Sequence, residues 1–131
     1  MADKWIQLMS EDGTDNLFPT SKMDLLWTNA SPNSGFSAQT VALDLGDYRW
    51  VYIVIKPYYE NNEVYNTLTY NLCSVPGLCP CEGTYDKTQV SRTGIVSSTG
   101  INFNSSGKWH QAGQDGTSDN FCIPYQIYGI K

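Results

Sequence analysis

The sequence predicts a single all-β domain, an antiparallel β-sandwich of the jelly-roll type, from three observations. Apolar and polar residues alternate in several short segments, which is the pattern of half-buried strands. Turn-forming residues separate these segments, and no helical pattern lies between them that could form a parallel crossover. The length of 131 residues suits one domain, and a hydrophobic fraction of 40% is enough to form one core.

The clearest strand signals lie in the middle of the chain and near residue 130. Residues 40–45 alternate, and residues 50–55 form a β-branched and aromatic run that is typical of a central strand. Pro57 is expected to end that strand, because proline donates no hydrogen bond to a ladder. A last strand is predicted over residues 121–130. Further strands are predicted over residues 67–72, 87–96 and 100–103, and residues 21–27 fit a short helix or a strand equally well.

The remaining segments are predicted to be irregular. Residues 73–83 contain two prolines and three cysteines and are expected to form a loop. Residues 104–120 are rich in Gly, Ser and Asp, which indicates a long loop or the tip of a hairpin. Residues 1–20 have no strand pattern and are predicted to be an arm that docks onto a neighbouring subunit. The sandwich domain is therefore expected to span residues 21–131.

Charge and hydropathy exclude several classes of function. The net charge is −5, and the eight Lys and Arg residues are scattered, so no basic stripe could bind nucleic acid or an anionic membrane surface. No apolar run is long enough for a transmembrane helix, and the first residues do not have the pattern of a secretory signal. Synthesis in a cytoplasm is therefore expected.

Catalysis is not expected from this sequence. Its single histidine, His110, lies in the Gly- and Ser-rich segment beside Trp109, and no nucleophile elbow accompanies it. The thirteen acidic residues include no pair that the sequence singles out for glycoside cleavage. Phosphate-binding loops are also missing from the sequence. The prediction is a non-enzymatic protein without a cofactor.

The cysteines leave three alternatives. Cys73, Cys79 and Cys81 lie close together in the sequence, whereas Cys122 is distant. Free thiols are favoured because no secretory signal is present, and a disulfide within the loop comes second. A metal site at Cys73, Cys79 and Cys81 comes third, because the usual zinc spacing is absent. In each case the predicted role is to hold a loop in place.

Aromatic residues are the best candidates for a binding site. Exposed rings on sandwich loops often stack on sugars or fill protein interfaces. The alternative is that the rings cover the ends of the core or pack between subunits, and this is favoured for Trp50 and Tyr70. The predicted binding residues are Tyr58, Tyr59, Tyr65, Trp109 and His110.

Several segments distributed along the chain form a recognisable set. They are, in order, Trp5-Ile6-Gln7-Leu8, Asp12-Gly13, Leu17-Phe18-Pro19, Leu26-Trp27-Thr28-Asn29-Ala30, Phe36-Ser37-Ala38-Gln39-Thr40-Val41 with Leu43, Gly100-Ile101-Asn102-Phe103 and the segment from Cys122 to Lys131. Together these segments resemble short tail-fibre-like proteins of bacteriophages that infect Gram-positive or gut bacteria. The resemblance covers most of the chain, and its motifs are structural, so they identify no active site.

This resemblance implies a virion protein, assembled in the bacterial cytoplasm, at a tail tip, tail fibre or head fibre. It implies a β-rich homotrimer that contacts other virion subunits and binds a host-surface glycan or protein. The segment from Cys73 to Cys81 is not typical of the group, and the chain has no repetitive shaft. A non-adhesive decoration or assembly protein of the capsid or tail is the alternative expectation.

Overall fold

The computed structural model describes residues 23–58 and 68–131, and over these residues the chain is an antiparallel β-sandwich. The predicted fold class, a single all-β domain, is confirmed. The predicted N-terminal arm lies outside the described residues. The strands are β1 (Met23–Thr28), β2 (Gln39–Ala42), β3 (Trp50–Tyr58), β4 (Thr69–Ser74), β5 (Gly77–Tyr85), β6 (Thr88–Ser97), β7 (Gly100–Phe103), β8 (Gly107–Gln111), β9 (Gln114–Ser118) and β10 (Phe121–Ile130).

The strands form two sheets. One has four strands in the order β1-β10-β3-β4. The other has six strands in the order β2-β7-β6-β8-β9, with β5 also paired to β6. The core lies between the sheets, where Ile53 and Ile127 of the four-stranded sheet and Ile101 and Phe103 of the six-stranded sheet are fully buried. Burial of this apolar surface is the main stabilising contribution to such a fold.

The predicted central strand is confirmed, but Pro57 does not end it. Strand β3 lies between β10 and β4, and it continues through a buried Pro57 to Tyr58. Its pairing with β4 covers only residues 50–55. Beyond Ile55 the strand pairs with β10 alone, so proline lies where one side of the strand has no described ladder.

The predicted loop at residues 73–83 is instead made of strands. It contains the end of β4 and most of β5, which among the described strands pairs only with β6 and tolerates Pro80 as an edge strand. Residues 104–120, predicted as a long loop or the tip of a hairpin, contain the hairpin of β8 and β9. Residues 23–28 form strand β1, which resolves the helix-or-strand ambiguity there, and the strand predicted over residues 40–45 is shorter than expected.

A buried arginine joins the two sheets. Arg92 on β6 is only 2% exposed, and its guanidinium lies over the Phe36 ring. It donates one hydrogen bond of 3.0 Å to each of four backbone carbonyls, those of Phe36, Ser105, Phe121 and Cys122. Desolvation lowers the pKa of Arg92, but the four acceptors compensate the buried cation. Sequence reasoning counted Arg92 only as a scattered basic residue.

The structure settles the state of the cysteines. Cys73 on β4 and Cys79 on β5 form a disulfide, the second of the three alternatives, so the favoured expectation of free thiols is wrong for this pair. Cys81 and Cys122 are buried free thiols, so the expectation of free thiols is confirmed for these two residues. The Cys81 Sγ lies 3.9 Å from the Cys79 Sγ, and the Cys122 thiol donates to the Cys81 carbonyl. Burial raises the pKa of Cys81 to about 12 and also raises the pKa of Cys122.

Candidate binding groove

The strongest candidate site is a groove across strands β5, β6, β8 and β9. Residues that face each other across an antiparallel pair project to the same side of the sheet. Val90 is buried, so its cross-strand neighbours Gly83, Trp109 and Gly116 share the inner side. Residues on either side of them in sequence project outward. They form two cross-strand rows, Glu82–Ser91–Lys108–Thr117 and Thr84–Gln89–His110–Asp115.

These two rows are the side-chain lining of the groove. The groove encloses about 770 Å³, with Thr69 at its border and the backbone of the inner-side residues as its floor. We refer to it below as the outer groove. Each of the eight row side chains carries a hydrogen-bonding group. Seven of the eight are exposed, and Ser91 is half-buried.

Cross-strand contacts hold parts of the outer groove in place. The Nδ1 atom of His110 contacts the carboxylate of Asp115, directly opposite on β9. At the other wall, the Thr69 hydroxyl donates to the Glu82 carbonyl over 3.0 Å. The His110 contact fixes the orientation of the ring and leaves Nε2 as the polar atom on its far side. The groove is therefore partly organised before any ligand binds.

A cluster of aromatic rings lies behind the outer groove. Tyr58 packs between Tyr85 and Phe121, with ring centroids 4.6 Å and 4.9 Å away and the ring planes tilted by 38° and 31°. The Trp109 ring centroid lies 6.3 Å from that of Phe121. The indole of Trp109 also lies against Gly116, where a Cβ atom would be 2.5 Å from the ring. Glycine at position 116 is therefore needed for the ring to lie flat on β9. Aromatic contacts at these centroid distances stabilise the wall of the outer groove from behind.

The structure brings only some of the predicted binding residues together. Trp109 and His110 both line the outer groove, His110 with an exposed ring and Trp109 from the inner side. Tyr58 belongs to the aromatic cluster and does not line the groove. Tyr59 and Tyr65 lie outside the described residues. Binding by Trp109 and His110 stays a prediction.

Of the residues in the polar rows, only His110 was predicted to bind a ligand. Glu82, Lys108, Asp115 and Thr117 lie in segments that were predicted to be irregular, and Gln89 and Ser91 lie in the strand predicted over residues 87–96. The alternation in residues 107–111 and 114–118, with Gly107, Trp109 and Gly116 among the inward positions and polar side chains at every outward position, was the available signal. This alternation was not recognised because Gly107 and Gly116 occupy inward positions, and glycine usually indicates a turn.

In residues 23–58 and 68–131, no three His, Cys, Asp or Glu side chains come together as a metal site would require. The described part of the chain also has no helix that is long and apolar enough to cross a membrane.

Comparison with known proteins gives no relative: no family model matches the chain, no curated protein matches its sequence, and no solved structure matches its fold.

Proposed function

We propose that this protein is an adhesion module that binds a polar saccharide in the outer groove. The observation that carries the proposal is the pair of cross-strand rows, which places eight hydrogen-bonding side chains side by side on a rigid sheet. Sugars present closely spaced hydroxyl groups, each of which donates and accepts. The rows match this need because they mix hydroxyls, an amide, carboxylates and an ammonium group.

The charge of the outer groove favours a ligand with little net charge. Two carboxylates, Glu82 and Asp115, face one ammonium group, Lys108, and the Asp115 carboxylate is already engaged by His110. A polyanion such as nucleic acid would need several unopposed cations. The groove volume of about 770 Å³ lies within the ordinary range for small-ligand sites.

The resemblance to phage tail-fibre-like proteins favours a place in a virion for this module. In that setting the saccharide is a glycan of the bacterial surface, and the protein sits at a tail tip or fibre as a homotrimer. Three copies would present three grooves, so weak single-site binding becomes avid. Binding without cleavage is proposed. The two carboxylates of the groove, Glu82 on β5 and Asp115 on β9, lie three strand spacings apart, or roughly 14 Å, whereas the carboxylate pair of a glycosidase is roughly 5 to 9.5 Å apart.

A second candidate function is a non-adhesive decoration or assembly protein. It is favoured by the other side of the molecule, where Leu25, Trp50, Tyr70 and Leu72 of the four-stranded sheet are exposed. Exposed apolar side chains of this kind are typical of protein contacts.

The test uses the full-length protein on an array of bacterial surface glycans. His110→Ala removes one groove side chain and should weaken binding by about tenfold, the equivalent of one hydrogen bond to the ligand. Asn102→Ala is the matched control, because Asn102 is also exposed on the six-stranded sheet but lies outside the outer groove. It should bind like the unmodified protein.

Two outcomes contradict the proposal: no glycan on the array is bound, or His110→Ala and Asn102→Ala bind equally well. A glycan that shortens when incubated with the protein would contradict binding without cleavage.

A further inference from the structure

Two opposite charges lie in one row of the outer groove. The row Glu82–Ser91–Lys108–Thr117 places an acidic residue on β5 and a basic residue on β8, with Ser91 of β6 between them. Glu82 and Lys108 are two strand spacings apart, or roughly 10 Å. Both residues line the groove and both are exposed, so their charged ends are accessible from solvent.

Neither of these charges is engaged by the protein. In the part of the chain that the structure describes, the Glu82 carboxylate and the Lys108 ammonium make no hydrogen bond or ion pair. The second row of the groove differs, because its acidic residue, Asp115, contacts Nδ1 of His110. Glu82 and Lys108 are therefore the two charges of the groove that a ligand can pair with directly.

A pair between Glu82 and Lys108 themselves would have to pass over Ser91. Ion pairs between exposed side chains are weak, because water and salt screen them and two flexible side chains must become ordered. Such a pair would open readily when a ligand offers a partner for each charge. The two charges therefore stay available to a ligand.

The two charges place a requirement on the ligand. A neutral saccharide would take water from both charged groups without pairing either, which costs free energy. A ligand of one charge would pair with one group and be repelled by the other. A ligand that carries both an ammonium and an acid group is attracted at both positions, and its net charge stays low. Thr84, Gln89 and Ser91 lie beside these positions and offer hydroxyl and amide groups to the hydroxyls of a saccharide.

We infer that the outer groove selects a zwitterionic saccharide, with its ammonium at Glu82 and its acid group at Lys108. The acid group is a carboxylate or a phosphate, since either accepts hydrogen bonds from an ammonium. The ligand spans strand β6, with its hydroxyl groups over Ser91. Zwitterion selection rests on the proposed saccharide function and specifies the class of its ligand.

The test presents each bacterial surface glycan to the full-length protein in four forms: unmodified, with its amines N-acetylated, with its acid groups removed, and with both changes. Acid groups are removed by esterifying carboxylates and by cleaving phosphates. Bound glycans should carry both an ammonium and an acid group. Each single change should weaken binding about fivefold, the upper range for one exposed ion pair. Added salt should reduce this preference.

Two variants assign each ligand group to its partner. Glu82→Gln should bind the unmodified and N-acetylated forms equally well, and Lys108→Gln should bind the forms with and without the acid group equally well. Asp47→Asn and Arg49→Gln are the matched controls, because each removes one charge at an exposed position outside the outer groove. Both controls should keep the full preference for the unmodified form.

Failure of zwitterion selection can be told apart from failure of saccharide binding. If His110→Ala weakens binding but the four forms bind equally well, the groove binds saccharides and zwitterion selection is overturned. It is also overturned if the preference persists in both Glu82→Gln and Lys108→Gln. Binding to no glycan in any form would contradict the proposed function, and zwitterion selection with it.

Discussion

The two sheets share one core but present opposite chemistry to the outside. On the six-stranded sheet, the two rows of the outer groove are polar at every position and include both signs of charge. On the four-stranded sheet, the three outward cross-strand rows that begin at Met23, Leu25 and Thr28 contain no charged residue. The buried inward residues are mostly apolar on both sheets, and Thr88 and Arg92 of β6 are buried polar exceptions. Outward positions do not pack in the core, so each sheet can carry its own outward chemistry, and the proposed saccharide site lies on the polar side.

The largest loss of stability is expected when the hydrogen bonds that Arg92 makes between the two sheets are removed. Arg92→Met removes the group that joins β6 to β10 and leaves four carbonyls without their donor. Each unsatisfied carbonyl costs about 1 kcal/mol or more, so the free energy of unfolding should fall by about 4 kcal/mol. Urea denaturation measures this loss. Arg49→Met, at an exposed position, is the control and should change the stability by less than about 0.5 kcal/mol. Equal stability of the two variants would mean that Arg92 does not join the sheets.

A smaller loss of stability is expected from a substitution at Gly116, on the side of the molecule with the outer groove. Gly116→Ala places a Cβ atom 2.5 Å from the Trp109 indole, so the ring or strand β9 must move. Overpacking of this kind costs about 1 to 3 kcal/mol, and the tryptophan emission should shift with the new environment of the ring. Gly46→Ala is the matched control, because its added Cβ would meet nothing closer than 3.5 Å. An unchanged emission spectrum in the Gly116 variant would show that the indole does not lie on β9.

The smallest effect is expected at the buried thiols of Cys81 and Cys122, and it concerns their reactivity. Because burial raises the pKa of Cys81 to about 12, this residue is a protonated thiol at pH 8. Iodoacetamide should therefore leave Cys81 and Cys122 unmodified in the folded protein and modify both in urea, as measured by mass spectrometry. Rapid modification of the folded protein would place these thiols at the surface.

The same thiols predict a direction for the pH dependence of stability. A thiol whose pKa is higher in the folded state stabilises the fold fully below its unfolded pKa near 9. That contribution is lost progressively as the pH rises from about 9 towards 12. Cys81→Ala should show a weaker decline of the free energy of unfolding over this interval than the unmodified protein.

The sequence predicted the buried strands better than the exposed ones. Strands β3 and β10 carry β-branched and aromatic runs whose only plausible place is a sheet, and both were predicted. Strands β8 and β9 were missed because their outward residues are polar and their inward positions are partly glycine. Gly116 is there to accommodate Trp109, a long-range packing requirement that local composition does not reveal.

The candidate site could be predicted only in part for the same reason. His110 and Trp109 were predicted to be binding residues because histidine and tryptophan are rare residue types in a polar segment. Glu82 and Lys108 reach the outer groove through strand pairing between segments far apart in sequence, which a single sequence does not specify. The burial of Arg92 could have been predicted from the sequence. Positions 90, 92 and 96 lie on the same side of strand β6, so Arg92 points inward like Val90 and Val96.

The guanidinium of Arg92 has a consequence for how the chain folds. Its four acceptors lie up to 56 positions away along the chain, so none of its bonds can form within a local segment. During folding, the four hydrogen bonds can therefore all form only after β6, β10 and the segment around Phe36 have come into contact. Topologies dominated by such distant pairings fold slowly, in milliseconds to seconds. The sandwich should accordingly melt in one cooperative step, with no half of it surviving alone.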